Sequence, residues 1–196
     1  MAWPSCSCRR SSGAGKDTLI DYARDRLRAG PRFHFGRRII SRPATAGEDH
    51  TPTDLDEFQR RVREGRFSPY WHAHGLSYGI PSEIDAWLEK GDVVVANGSR
   101  AVLSEARRRY PGLLVVNVTA PMEMLAKRLV ERGRESPQSV RQRLIRGDQH
   151  PVEGADVVHI DNSGPPEIAA ECLLAVLTAQ VGSNTCTANT LLSRDN

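Results

Sequence analysis

The residues with the clearest chemical potential are seven near the start of the chain, Ser-Gly-Ala-Gly-Lys-Asp-Thr at positions 12–18, followed directly by a helical pattern. The first turn of a helix offers unpaired main-chain N–H groups and the positive end of the helix dipole to an anion. Glycines let the backbone close around phosphate oxygens, and a lysine reaches the outer phosphates of a nucleotide. The sequence therefore predicts a nucleotide phosphate loop made of nine residues: Arg10, Ser11, Ser12, Gly13, Ala14, Gly15, Lys16, Asp17 and Thr18.

This loop departs from the usual pattern G-x-x-x-x-G-K-[ST] at two positions. Arg10 stands where the pattern has its first glycine, and Asp17 stands where a hydroxyl would bind Mg²⁺, with Thr18 one step later. Oxygen ligands suit Mg²⁺, so we predict that Asp17 or Thr18 binds the metal, directly or through water. The stretch before the loop predicts a poor central strand, because Pro4 removes a ladder donor. An accidental glycine-rich turn before a helix is the alternative interpretation.

A second candidate is a segment rich in arginine that is interrupted by Gly133 and Pro137. The planar guanidinium group binds phosphate oxygens through two parallel hydrogen bonds and keeps its proton. Two helices joined by a polar hinge, both carrying arginines, predict a lid over about residues 128–147. The alternative is a solvated helical hairpin. The arginines are Arg128, Arg132, Arg134, Arg141, Arg143 and Arg146.

The elements that must position these residues alternate between strand and helix patterns. Continuous Val/Leu runs are typical of strands buried on both faces of a parallel sheet, and the alternation predicts an α/β layered fold. The predicted strands are residues 33–40, 70–74, 92–96, 113–119 and 157–160. The predicted helices are residues 16–27, 54–64, 82–90, 102–110, 121–132, 139–146 and 166–181.

Composition indicates one soluble globular domain over residues 1–181, with a small polar tail at 182–196 that we expect to be mobile. The chain has 196 residues, of which 39% are hydrophobic, and Lys+Arg minus Asp+Glu is 27 − 24 = +3. A net charge of +3 over the whole chain gives a weak electrostatic field, which disfavours a nucleic-acid partner. No apolar run is long enough to span a bilayer. Four cysteines at the chain extremes make no disulfide framework, which favours a cytoplasmic setting. Cys6 and Cys8 are interpreted as small strand residues rather than half of a metal site.

Beyond these patterns, residues 38–146 resemble the guanylate-kinase-like group of P-loop kinases. The resemblance rests on Ser41-Arg42-Pro43, on Asp56-Glu57-Phe58 and on His-Gly-Leu-Ser-Tyr-Gly at 74–79. Residues 71–79, 83–88 and 97–101, with the aspartate after Lys16, are most similar to members that act on ribose 1,5-bisphosphate. The resemblance implies a P-loop NTPase fold with a parallel sheet flanked by helices. It also implies a small acceptor-binding region at about residues 33–90.

The activity implied by this resemblance is transfer of the γ-phosphoryl group of ATP, with Mg²⁺, to ribose 1,5-bisphosphate, giving 5-phosphoribosyl 1-diphosphate in phosphonate catabolism. Lys16, Arg132 and Arg143 are the implied catalytic residues. The resemblance implies that Arg42 and Tyr78 hold the phosphate of the acceptor, and Arg100 is a further candidate for this role. His72, His74 and Asn97 are predicted to contact the sugar, and for each of them a packed turn residue is the alternative interpretation. We align His72 with the guanine-binding glutamate of guanylate kinases, and a guanine ring would lose a charged acceptor there.

Two other functions stay open at this point. One is a nucleoside monophosphate kinase that acts on a GMP-like acceptor. The other is a catalytically silent guanylate-kinase-like binding module, which the altered loop at Arg10 favours and the retained Lys16 disfavours. The expected partner is a small sugar phosphate, with no nucleic acid and no membrane, and the expected assembly is a monomer or a homodimer.

Overall fold

The main layer of the fold is a five-stranded sheet in which every pairing is parallel. The computed structural model describes residues 3–7, 14–30, 32–44, 49–73, 75–131 and 152–192. The strands of this sheet are β1 (Trp3–Ser7), β2 (Phe33–Gly36), β7 (Val93–Gly98), β8 (Leu113–Thr119) and β9 (Val157–Asp161). Their spatial order is β2-β7-β1-β8-β9, so β1 occupies the centre.

A second, four-stranded sheet is inserted between β2 and β7. Its strands are β3 (Arg38–Ile40), β4 (His50–Pro52), β5 (Phe67–Ala73) and β6 (Leu76–Pro81), in the order β4-β3-β6-β5. β3 runs parallel to β4 and antiparallel to β6, and β5 and β6 form an antiparallel hairpin. This sheet lies within the region predicted to bind the acceptor.

Helices cover both faces of the main sheet. They are α1 (Lys16–Leu27), α2 (Leu55–Arg63), α3 (Ile84–Glu89), α4 (Leu103–Arg109), α5 (Met122–Glu131) and α6 (Pro166–Leu192), and a 3-10 turn spans Arg100–Val102. Leucines of α1, α5 and α6 form one buried cluster with Val95, while α3 and α4 pack with Val94 on the opposite face. Because neighbouring strand residues point to opposite faces, a run such as Val93–Val95 is buried throughout.

The helices within the described ranges include none that is both long enough and apolar enough to cross a membrane.

The expectation of a poor central strand before the loop is wrong for the backbone. β1 pairs with β7 through residues 5–7 and with β8 through residues 3–5. Pro4 lies near the beginning of the strand, a place where proline is tolerated, and the residues after it carry the pairing with β7. The sheet therefore keeps its central member.

Other elements also differ from the sequence-based prediction. The strand predicted over residues 33–40 is interrupted at Arg37, because the chain leaves the main sheet there and enters the second one. Strands β4 and β6 were absent from the prediction. Helix α6 continues to Leu192, beyond the predicted end at Val181, so much of the predicted tail is helical. The predicted helix at 139–146 lies outside the described residues.

Candidate functional site

The turn that leads into α1 has the conformation of an anion-binding site. Beyond β1 the strand order changes direction, and parallel α/β sheets bind ligands beside the carboxyl ends of strands at such a point. Gly15 precedes the helix with φ 82° and ψ 10°, a left-handed conformation that suits glycine. The half-buried Lys16 begins the helix. Gly15 has no side chain to cap α1, so the amides of the first helical turn stay available to an anion.

The sequence-predicted residues Asp17 and Asn97 come together although 80 positions separate them. Asn97, near the carboxyl end of β7, is only 8% exposed, and its Nδ2 donates to Oδ1 of Asp17 at 2.7 Å. The other amide atom, Asn97 Oδ1, is buried and accepts no hydrogen bond. The lining of a cleft beside the pair includes charged residues of both signs: Asp17, Asp21, Arg24, Arg38 and Asp49.

Sequence reasoning missed Asn162, which contacts the phosphate-binding turn from the far end of the chain. This residue follows β9 and is 2% exposed. Its Nδ2 donates to the main-chain oxygen of Ala14 at 2.8 Å. The only signal in the sequence was a polar residue just after the last strand of the main sheet, at the sheet edge where ligands bind.

On the second sheet, His72 is held by a chain of hydrogen bonds that sequence reasoning also missed. Its Nδ1 lies 2.9 Å from Oγ of Ser77, its neighbour across the β5–β6 hairpin. The main-chain N–H of Ser77 donates to Oγ of Ser41 at 2.8 Å, and the N–H of Ser41 donates to the oxygen of Ser77. The exposed His72 ring also lies beside Phe58 of α2, with ring centroids 6.4 Å apart.

Tyr78 and His72 lie on opposite faces of this second sheet. Tyr78 stacks on Trp71 with ring centroids 5.4 Å apart and an interplanar angle of 5°, and both rings pack against the core that contains Val94. Successive residues of a strand point to opposite faces, so His72 faces the α2 side. The structure therefore does not place these two predicted acceptor contacts in one surface.

The two predicted acceptor arginines follow strand ends in different sheets. Arg100 begins the 3-10 turn immediately after β7, at the same sheet edge as Asn97, and Oγ of Ser99 accepts from the N–H of Ala101 to start that turn. Arg42 follows β3, where its N–H donates to the oxygen of Ile40 at 2.8 Å. Both side chains are half-buried.

A polar cluster joins the second sheet to α3 and α4. The Tyr110 hydroxyl donates to Asp85 and lies 2.8 Å from Oγ of Ser68 in β5, while Arg109 donates to Asp85 at 2.8 Å. Burial, reinforced by the hydrogen bond to Asp85, raises the pKa of Tyr110 to about 12. The hydrogen bond to Asp85 likewise raises the pKa of Arg109. The cluster fixes β5 against the helices that cover the main sheet.

Seven of the predicted site residues lie outside the described residues, and their roles stay predictions. They are Arg10, Ser11, Ser12, Gly13, His74, Arg132 and Arg143. Arg128, at the start of the predicted lid, is described, and its Nη1 donates to the main-chain oxygen of Asn162 at 3.2 Å.

Comparison with a solved structure shows which fold this is. The crystal structure of guanylate kinase from Anaplasma phagocytophilum superposes with a TM-score of 0.64, covering 91% of this chain and 86% of that one. The sequence identity is 17%, so this likeness concerns the fold alone. The predicted α/β, guanylate-kinase-like P-loop fold is confirmed. No family model matches the chain.

Similarity to curated proteins is much higher. The chain is 45% identical over 174 residues to ribose 1,5-bisphosphate phosphokinase PhnN of Agrobacterium fabrum, covering 88% of this chain and 95% of that protein. It is 50% identical over 154 residues to the protein of the same name from Brucella melitensis, covering 78% of this chain and 80% of the relative. The chain therefore belongs to the ribose 1,5-bisphosphate phosphokinase family.

Proposed function

We propose that this protein transfers the γ-phosphoryl group of ATP to the 1-phosphate of ribose 1,5-bisphosphate, giving 5-phosphoribosyl 1-diphosphate and ADP. The observation that carries this proposal is the 45% identity over nearly the whole length of a ribose 1,5-bisphosphate phosphokinase. The left-handed Gly15 followed by Lys16 at the start of α1 supports it independently, because this turn suits a nucleotide's phosphates.

In this reaction a non-bridging oxygen of the 1-phosphate attacks the γ-phosphorus. The bond between that phosphorus and the oxygen shared with the β-phosphate breaks, and ADP leaves with the electron pair. A phosphate monoester has a second pKa of about 6, so the acceptor is ionised at neutral pH and no general base is required. The main obstacle is repulsion between two anions, which positioning and nearby cations overcome.

Lys16 and the amides around Gly15 are proposed to bind the phosphates of ATP. The amides are fixed by the helix and therefore need no reorganisation when charge develops on the transferred group. Arg132 and Arg143 are proposed to close over the same group, since guanidinium groups stabilise its spreading charge. These assignments extend the geometry of α1 to residues outside the described ranges.

The residues at the start of α1 also fit a divalent cation. The exposed Asp17 and Thr18 supply carboxylate and hydroxyl oxygens, which Mg²⁺ prefers. Asn97 orients Asp17 through the hydrogen bond from Nδ2 to Oδ1. We propose that Asp17 and Thr18 hold Mg²⁺, which would neutralise phosphate charge when bound.

For the acceptor we propose Arg42, Tyr78 and Arg100 as the residues that hold the sugar phosphate. Arg100 lies at the carboxyl edge of β7, where the acceptor must approach the phosphates of ATP. Tyr78 lies on the face of the second sheet that packs toward the main core. His72 occupies the opposite face, so we give it a secondary role at most, and Asn97 is engaged with Asp17.

A coupled assay of ADP release tests this function, with ribose 1,5-bisphosphate and GMP offered separately as acceptors. We expect turnover with the sugar bisphosphate and little with GMP. Replacing Lys16 by alanine should lower turnover by orders of magnitude, because the ammonium group contacts the transferred phosphate. Preference for GMP would support a nucleoside monophosphate kinase, and absence of turnover and of Mg-ATP binding would support a silent module.

A further inference from the structure

The backbone of Asn162, which follows β9, is hydrogen-bonded to two other elements, β8 and α5. Its main-chain N–H donates to the oxygen of Thr119, at the end of β8, at 2.7 Å. Its main-chain oxygen accepts from Arg128 of α5 at 3.2 Å. With the backbone fixed on both sides and only 2% of the residue exposed, the side-chain amide has little freedom to move.

That amide is directed at the turn that precedes α1. Nδ2 donates to the oxygen of the buried Ala14 at 2.8 Å. A Cβ atom placed on Gly15 would lie 2.4 Å from the same Nδ2, closer than any real contact of this kind. The amide therefore occupies the space that a side chain at position 15 would take, and glycine is required there for space as well as for its positive φ.

The hydrogen bond fixes the peptide group between Ala14 and Gly15. The oxygen of this peptide points to Asn162, so its N–H points away from that residue. Gly15 in the left-handed region followed by Lys16 in a right-handed helix forms a concave set of main-chain amides, an arrangement that binds anions. A rotated peptide would remove one donor from this concave surface.

We infer that Asn162 is a positioning residue of the kinase: it holds the Ala14–Gly15 peptide in the conformation that binds the phosphates of ATP. The inference rests on the proposed function, because it assigns these amides to ATP. Asn162 itself contacts no substrate. Its loss would leave the turn in the competent conformation for only a fraction of the time, and apparent affinity falls by that fraction.

The primary test is the Asn162→Ala variant, with Asn117→Ala as the matched control. Asn117 is also 2% exposed, also donates through Nδ2 to one partner (His159), and also has an unpaired Oδ1. Both variants should therefore lose similar stability. We expect the KM for ATP to rise about tenfold in Asn162→Ala and to stay within about twofold of the wild type in Asn117→Ala.

The KM for ribose 1,5-bisphosphate should change little in either variant. Equal ATP KM values in the two variants would overturn the inference, because Asn162 would then contribute only to stability. Thermal unfolding with and without Mg-ATP gives a readout independent of turnover: the ATP-induced rise in melting temperature should shrink in Asn162→Ala alone. If the wild type itself neither binds Mg-ATP nor turns over, the proposed function fails rather than this inference.

A double-mutant cycle with Gly15→Ala keeps the test decisive even where Asn162→Ala is poorly stable. The added methyl group strikes Asn162, so removing the amide should relieve part of the damage in the Gly15→Ala background. We expect Asn162→Ala to weaken ATP binding less in that background than in the wild type. Strictly additive effects on ATP binding would contradict the direct contact on which the inference rests.

Discussion

Replacing Asn97 by aspartate tests whether the start of α1 is built to hold a divalent cation. The substitution keeps the shape of the side chain and exchanges the Nδ2 donor, 2.7 Å from Oδ1 of Asp17, for a second carboxylate oxygen. Without a cation, two carboxylates at this distance repel each other, because the hydrogen bond that joined them is gone. We expect the variant to be less stable than the wild type in a chelator.

The size of this effect follows from two independent limits. Two unit charges about 4 Å apart interact with about 4 kcal/mol at an effective dielectric constant of about 20. The loss of stability at about pH 7 also cannot exceed the free energy of protonating one of the two carboxylates. For an aspartate with an ordinary pKa of about 3.9, this free energy is about 4 kcal/mol. Asp17 is exposed, which screens the repulsion, so the expected loss in free energy of unfolding is about 2–3 kcal/mol.

The assay is urea unfolding of each variant in EDTA and in excess Mg²⁺. A cation between the two carboxylates would remove the repulsion, so Mg²⁺ should restore most of the lost stability in Asn97→Asp. Asn117→Asp is the control, since this asparagine lies in the β8–β9 pair and should be destabilised equally in both solutions. A variant as stable as the wild type in EDTA, or one that Mg²⁺ fails to rescue, would show that Asp17 and residue 97 do not hold a cation between them.

Two further predictions concern the second sheet. Tyr78→Phe should raise the KM for ribose 1,5-bisphosphate several-fold while His72→Ala changes it by less than about twofold, because the two side chains lie on opposite faces; steady-state kinetics decides, and the reverse order would place the acceptor on the α2 side. The pKa of Tyr110 is raised to about 12 in the folded protein, whereas an ordinary tyrosine has a pKa of about 10. This difference stabilises the folded protein below about pH 10, and the stabilisation is lost as the pH rises from about 10 to about 12. Tyr110→Phe should therefore be less stable than the wild type at about pH 9 and lose less stability between about pH 9 and pH 11, while Tyr70→Phe, an exposed control, should follow the wild type. Identical alkaline slopes in urea unfolding for Tyr110→Phe and the wild type would contradict this account.

Much of the main sheet could be predicted because its sequence is locally informative. Val93–Val95 and Leu113–Val116 are continuous apolar runs, which are typical of parallel strands covered by helices on both faces of a sheet. The exchange between sheets at Arg37 was not predictable in this way, since residues 33–40 read as one strand and only the tertiary pairing separates them. β1 was misjudged for the related reason that its partners, β7 and β8, lie about 90 or more positions away.

The residues of the candidate site also differ in how far they could be predicted from the sequence. Gly15, Lys16 and Asp17 could be proposed from the sequence because the pattern of a phosphate loop is formed by consecutive residues. Asn162 is joined to Ala14 by a contact across 148 positions and belongs to no local pattern, so only the fold reveals it. The separation of His72 from Tyr78 was also hidden, because their faces depend on the register of the β5–β6 hairpin.

The most direct measurement of the proposed phosphoryl transfer is phosphorus NMR of a reaction containing ATP, Mg²⁺ and ribose 1,5-bisphosphate. We expect the signal of the 1-phosphate to disappear and two mutually coupled diphosphate signals, distinct from those of ADP, to replace it in equal amount. The signal of the 5-phosphate should persist throughout. An unchanged 1-phosphate signal while ATP is consumed, or a new diphosphate at the 5-position, would contradict the proposed transfer.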